Sequence, residues 1–185
     1  MTRPQKPNFL FIQTDQMTAF ALSHYGNPVV KTPNLDKLAA RGVVFQNAYC
    51  NNPICASSRF SMMSGQLSSR VGAYDNAAEF PAQIPTFAHY LVDRGYHTCL
   101  SGKMHFVGPD QLHGFQERVT TDIYPSDFGW TPDWLAKGHQ LPPSGMSMRS
   151  VVEAGISERS LQIDYDEEAC HQAEVKLWDY ARNSP

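Results

Sequence analysis

Three short runs of apolar or β-branched residues, at 9–12, 43–45 and 96–100, each give way within a few positions to a polar cluster, and helical segments separate them. That order constrains the fold more than any other feature of the sequence. Strands alternating with helices belong to a parallel or mostly parallel sheet with helices on its faces. The helical segments carry local signals. Thr32 stands at a capping position, Pro33 fits the first helical turn, Leu35, Leu38 and Ala39 share a face, and Gly42 ends the segment. A second helix is predicted from Cys55 to Gly65 around Met62 and Met63. A third runs from about Pro85 to Arg94, with Phe87 and Leu91 one turn apart and Gly95 as its stop. A last helix is predicted from Tyr165 to Arg182, opened by an Asp164/Glu167 capping box and striped by Tyr165, Ala169, Ala173 and Leu177. Between Phe115 and about Ser160 the periodicity dissolves into Pro, Gly, Asp, Ser and Trp. The expected organisation is therefore a sheet core with site loops over 1–115, an irregular substrate-side segment over 116–160, and a helix over 161–185.

Composition excludes several function classes. Fifteen Lys and Arg against eighteen Asp and Glu give a net charge of −3, whereas nucleic acid and anionic membranes attract basic surfaces. No apolar stretch approaches the roughly 20 residues of a membrane-spanning helix. The apolar run after the basic start is too short for a signal-peptide core and leads straight into Gln13 and Asp15. Four cysteines (Cys50, Cys55, Cys99 and Cys170), with no CxxC pair, are too few and too spread for a disulfide scaffold or a zinc ribbon. The expectation is a cytoplasmic protein with reduced thiols, no nucleic-acid partner and no membrane.

Ligands of such sheets bind beyond the carboxyl ends of the strands. Three polar groups fall there: Thr14, Asp15 and Gln16 after the first run, residues 51–59 after the second, and Gly102, Lys103, Met104 and His105 after the third. Asp15 is either a hard-metal ligand or a turn residue. Cys55 lies at the start of its helix, where backbone N–H groups and the dipole favour an anion, and Arg59 one turn on can reach the same anion. The competing reading makes Cys55 a buried core thiol and Arg59 a solvent-facing cation. Lys103 and His105 add a second cation and a titratable group. Each signal is weak alone; together they fall at one edge of the expected sheet.

Residues 8–16, 32–39, 55–59 and 102–105, in that order, resemble the amino-terminal half of the formylglycine-dependent sulfatases of the alkaline phosphatase superfamily. The stretches 74–79, 101–115 and 121–130 look more narrowly like the choline sulfatases. The resemblance covers the chain up to about Trp134. It implies an α/β fold with a mostly parallel central sheet flanked by helices, incomplete at the carboxyl end because the chain corresponds to an amino-terminal part. It implies a sulfuric ester hydrolase converting choline-O-sulfate and water to choline and sulfate. It further implies oxidation of Cys55 to formylglycine by a dedicated maturase, and a divalent metal, usually Ca2+, held in part by Asp15, Gln16 and modified Cys55. Arg59 and Lys103 match positions that orient the nucleophile and balance the transferring charge, and His105 matches the one that hydrogen-bonds the formylglycine hydrate. Homo-oligomerisation is compatible with the resemblance.

Two departures stand out: Ser57 where the modification signature has Pro, and Gln16 where many sulfatases have a second Asp. A phosphate or phosphonate ester hydrolase, an arylsulfatase and a non-catalytic paralogue remain alternatives at this point. Choline recognition needs aromatic faces. Tyr124, Phe128, Trp130 and Trp134, with Asp127, cluster in the irregular segment; Trp130 is either the ammonium-binding face or a pin holding the loop to the core.

Overall fold

A computed structural model describes residues 6–124 and 149–183. The chain divides into two units, 1–49 and 50–185.

The first unit contains two 3-10 turns, Ala19–Ala21 and Ser23–Tyr25, and helix α1, Pro33–Ala39. Polar bonds organise it. Ser23 Oγ donates to the Asp36 carboxylate at 2.8 Å and meets the Thr32 hydroxyl at 2.5 Å. Asn27 Oδ1 accepts the backbone N–H groups of Val29 and Val30, both at 2.9 Å. Thr32 occupies the predicted cap position of α1, but its hydroxyl is engaged with Ser23 and does not cap the helix. None of the described residues up to Tyr49 is buried. The predicted strands 9–12 and 43–45 carry no ladder here, and Phe9, Leu10, Phe11 and Ile12 are 67–76% exposed. A strand needs a ladder partner for its backbone groups and a face for its side chains. Phe45 O accepts the Tyr25 hydroxyl at 2.9 Å, a side-chain bond and not a ladder, and no buried face forms under either segment among the described residues of this unit.

The second unit contains α2 (Cys55–Ser64), α3 (Ser68–Val71), α4 (Phe87–Asp93), β1 (Cys99–Leu100), β2 (Glu117–Arg118), α5 (Arg149–Val152) and α6 (Leu161–Asn183). Helix α2 matches its predicted span. It stops where Gly65 turns left-handed (φ +68°) and its N–H bonds Ser61 O at 2.8 Å, a conformation glycine adopts without a Cβ clash. At the start of α4 the ring of His89, through Nδ1, accepts the Thr86 N–H at 3.1 Å. β1 pairs in parallel with β2, Cys99 opposite Glu117 and Leu100 opposite Arg118. The third predicted strand thus forms in part, and β2, absent from the sequence expectation, is its partner. Helix α6 begins a turn before the predicted Tyr165. Ser160 Oγ accepts the Ile163 N–H at 3.2 Å, while Asp164 and Glu167 pair with Arg159 instead of closing a capping box. The helix is tied to its own unit by Tyr165 OH donating to Thr121 O (2.7 Å), Ser101 Oγ donating to Ala169 O (2.7 Å), and a Lys176–Glu117 ion pair.

The core lies under α2. Ala56, Phe60 and Met63 from that helix meet Phe80, Ala88, Leu100, Met104 and Phe106. Phe60 stacks on Phe80 at 4.6 Å, and Phe80 on the ring of His113 at 4.5 Å. Among the described residues no helix is long and apolar enough to cross a membrane.

Candidate active site

Core packing sets the start of α2 against the loop that follows β1. Ala56, Phe60 and Met63 face inward from the helix, and Met104 and Phe106 enter the same core from the loop. The chemistry-bearing residues alternate with these anchors, so burying the anchors fixes where the others point.

Cys55 is the first residue of α2 and is half-buried. Ile54 precedes it and offers no side-chain cap. The N–H of Ala56, which a helix start leaves unpaired, is taken by Asn76 Oδ1 at 3.0 Å. One donor that the sequence would leave for an anion is therefore already occupied. Lys103 brings its ammonium to 3.6 Å from Cys55 Sγ and stands 4.7 Å from the centre of the Tyr124 ring.

Arg59 is 4% exposed. Its Nη1 donates to the carbonyl of Lys103 at 2.6 Å. The alternative of a buried core thiol and a solvent-facing arginine is thereby reversed: the guanidinium is inside, holding the loop that carries Lys103, and the thiol is partly accessible. His105 is also buried, and its Nε2 lies 3.1 Å from Asn76 O. A carbonyl only accepts, so Nε2 carries the proton. Burial, reinforced by the Lys103 ammonium, lowers the pKa of His105, against the opposing pull of Asp122. A neutral imidazole follows at physiological pH.

The second unit therefore gathers Cys55, Arg59, Lys103 and His105, which the sequence singles out. Asn76, which ties the α2 start to His105 through its side chain and its carbonyl, and Asp122, which accepts backbone bonds from the loop, fall within the stretches 74–79 and 121–130 of the narrower resemblance but receive no role from the sequence. Ser57 is fully buried, and its hydroxyl has no hydrogen-bond partner among the described residues. Asp15 and Gln16 belong to the other unit, exposed in a turn where Gln16 takes φ +55°. Trp130 lies outside the described residues, as do Asp127, Phe128 and Trp134. Among the described residues no three His, Cys, Asp or Glu side chains gather as a metal-ligand set. All four thiols, Cys50, Cys55, Cys99 and Cys170, are free.

A sulfatase family model matches residues 7–153. The chain belongs to the sulfatase family. It is 49% identical to the choline-sulfatase of Rhizobium meliloti over 97% of this chain and 35% of that protein. It is 29% identical to the N-acetylglucosamine-6-O-sulfatase of Bacteroides thetaiotaomicron over 83% of this chain and 27% of that one. The sulfatase chain thus spans about a third or less of the length of these curated relatives. Among solved structures, that of BT4656 in complex with its substrate D-glucosamine-2-N,6-O-disulfate superposes with a TM-score of 0.58 at 36% identity, covering 62% of this chain and 23% of that one. The α/β fold class expected from the sequence is that of these sulfatase neighbours.

Proposed function

We propose that this sulfatase chain carries the nucleophile of a sulfuric ester hydrolase acting on choline-O-sulfate. The observation that carries the reading is the half-buried Cys55 at the head of α2 with the Lys103 ammonium 3.6 Å from its sulfur. The 49% identity to a choline-sulfatase supports the choice of substrate.

Converted to formylglycine and hydrated by one water, residue 55 supplies paired hydroxyls, one to attack sulfur and displace the alcohol, the other to lose its proton and restore the aldehyde as sulfate leaves. Lys103 places a full positive charge beside the attacking atom and the anionic ester, stabilising charge as it moves between them. Arg59 acts on the same step through the Lys103 carbonyl it holds. His105, a neutral ring whose Nε2 proton is bound to Asn76 O, is the group that hydrogen-bonds the hydrate of residue 55. Asp15 and Gln16 offer a carboxylate and an amide oxygen, donors suited to a hard divalent ion such as Ca2+. Two oxygens fall short of the about six to eight that Ca2+ takes, so these residues do not make a metal site by themselves.

The test has two parts. After co-expression with a maturase, mass spectrometry of the peptide spanning residue 55 is expected to show an aldehyde or its hydrate in place of the thiol. Residues 1–185, joined to the unmatched remainder of the Rhizobium meliloti choline-sulfatase, are then expected to release sulfate from choline-O-sulfate, with Cys55→Ala abolishing it. In that chimera Trp130→Ala should lower kcat/KM for choline-O-sulfate about thirtyfold more than for a neutral aryl sulfate, the value of a desolvated cation–π contact. An unconverted Cys55, or a chimera that prefers a phosphonate ester, overturns the reading.

A further inference from the structure

The loop bearing Lys103 and His105 is not held in place by a strand. It leaves β1 through Gly102 at φ +100°, and His105 itself sits at φ +58°. A residue with a Cβ occupies that left-handed region only when its surroundings offset the cost. Those surroundings converge on one carboxylate. Oδ2 of Asp122 accepts the backbone N–H of Met104 at 3.0 Å and that of His105 at 2.6 Å. The same oxygen is 3.1 Å from Arg118 Nη2, in an ion pair whose side chains are 8% and 2% exposed. Arg118 is fixed in turn by Gln111 Oε1 at 2.8 Å and by the carbonyl of Thr120 at 3.0 Å. One residue before Lys103, the Gly102 N–H donates to Thr120 Oγ1 at 2.7 Å. Segment 118–122 thus grips the loop on both sides of Lys103.

We propose that Asp122 is a positioning residue of the site: its buried carboxylate sets the backbone turn that delivers the Lys103 ammonium to residue 55 and the His105 ring to Asn76. Its bonds go to the loop backbone and to Arg118, not to Cys55. It acts through two backbone N–H groups, and Arg118 keeps the charge of that acceptor compensated. Charge-assisted bonds of this kind are about twice as strong as neutral ones, which suits a turn that must hold a non-glycine residue at positive φ. Arg59, bonded to the Lys103 carbonyl, fixes the opposite side of the same peptide segment. Removing Asp122 leaves that clamp in place and frees the turn behind it. The catalytic meaning of this role rests on the sulfatase reading; the geometric role does not.

The test uses the 185-residue chain expressed without a maturase, so that residue 55 keeps its thiol. o-Phthalaldehyde joins a neighbouring amine and thiol into a fluorescent isoindole, and peptide mass spectrometry assigns the bridge to Cys55 and Lys103. Cys55→Ser is the blank. Asp122→Ala is expected to cut the yield of that bridge about fivefold and to speed amide exchange at Met104 and His105 about tenfold, the scale of one lost hydrogen bond. The amides of β1 and α4 should exchange as before. Asp122→Asn, which keeps the shape and loses the charge, should fall between. A variant that retains the wild-type bridge yield overturns the proposal. So does general loss of protection in both variants, which would make Asp122 a determinant of the whole fold and not of this turn. Neither readout requires conversion of Cys55 or turnover of a sulfate ester, so failure here and failure of the sulfatase reading are separate results.

Discussion

The two units of the chain are built by different means. Unit 50–185 has an apolar core in which Phe60, Phe80 and Phe106 are at most 1% exposed. Unit 1–49 has no buried residue among those described, and its order comes from hydroxyl, carboxylate and amide bonds centred on Ser23, Asp36 and Asn27. Burial and hydrogen bonding do different things. Burying an aromatic side chain contributes several kcal/mol that no local rearrangement replaces. A half-exposed hydrogen bond contributes about 1 kcal/mol, because water competes for both partners. Four candidate catalytic residues stand on the first kind of scaffold. Of the three candidate metal ligands, Cys55 shares that scaffold, while Asp15 and Gln16 stand exposed on the second.

The largest test of this contrast is a pair of phenylalanines. Phe60→Ala removes one end of the aromatic stack, a side chain with no exposure, and should cost about 3–5 kcal/mol, read as loss of amide protection throughout α2 and α4. Phe20 is 78% exposed, and Phe20→Ala should stay within about 0.5 kcal/mol. Comparable losses at the two positions would break the comparison, since they would require Phe20 to be buried.

A smaller effect should appear with pH in the second unit. His113 is 1% exposed between the rings of Phe80 and Phe106. Burial lowers its pKa, opposed by Asp110 and reinforced by His89 and Arg118. Its Nδ1 lies 3.4 Å from Asp110 Oδ2, without hydrogen-bond geometry. The folded state therefore keeps this imidazole neutral where the unfolded chain protonates it. Between the unfolded value, about 6.5, and the lower folded one, the unfolded state binds more protons, so stability rises with pH. The contribution is complete above about pH 6.5 and is lost as pH falls through that window, at up to about 1.4 kcal/mol per pH unit. Urea midpoints at several pH values, followed by exchange in α4, measure it. His113→Phe should flatten the slope, and an unchanged slope would assign the acid sensitivity elsewhere.

What the sequence made legible follows the same division. Helices α1, α2 and α4 carried their own stop and start signals, and the α2 signal placed Cys55 at a helix head with Arg59 one turn on. These are local rules, decided within a few residues. The β1–β2 ladder is not local: Gln116 and Glu117 donate to Thr98 O across a loop. Nothing in Glu117 and Arg118 reads as a strand, since their pairing is carried by backbone atoms. Asn76 and Asp122 escaped for a similar reason. Each contributes acceptor atoms to the backbone or ring of a residue far along the chain, and a lone Asn or Asp is indistinguishable from a turn former. The runs at 9–12 and 43–45 show the converse. They have strand composition, yet no ladder forms on them within a unit that supplies no apolar face.

The smallest effect is expected at Gln16, and its comparison with His105 separates the two scaffolds most finely. Gln16 and His105 are both non-glycine residues at positive φ, +55° and +58°, and each adjoins a candidate functional residue. The left-handed conformation costs a residue with a Cβ about 1–2 kcal/mol. Glycine removes that cost while adding about 0.5–1 kcal/mol of unfolded-state entropy to be lost on folding. At Gln16, whose side chain is exposed, the two terms nearly cancel, and Gln16→Gly should leave the exchange of the 19–25 turns unchanged or slowed by less than about 1 kcal/mol. At His105 the same change also deletes the bond from Nε2 to Asn76 O and the packing of a ring that is 4% exposed. His105→Gly should therefore destabilise its loop by about 2 kcal/mol or more. Opposite signs at two positions with nearly the same φ would show that the second unit holds its strained residue by contacts, while the first tolerates one at the surface. Equal destabilisation at both would mean that Gln16 too is held in place by its side chain, and the contrast between the two scaffolds would not extend to their candidate ligands.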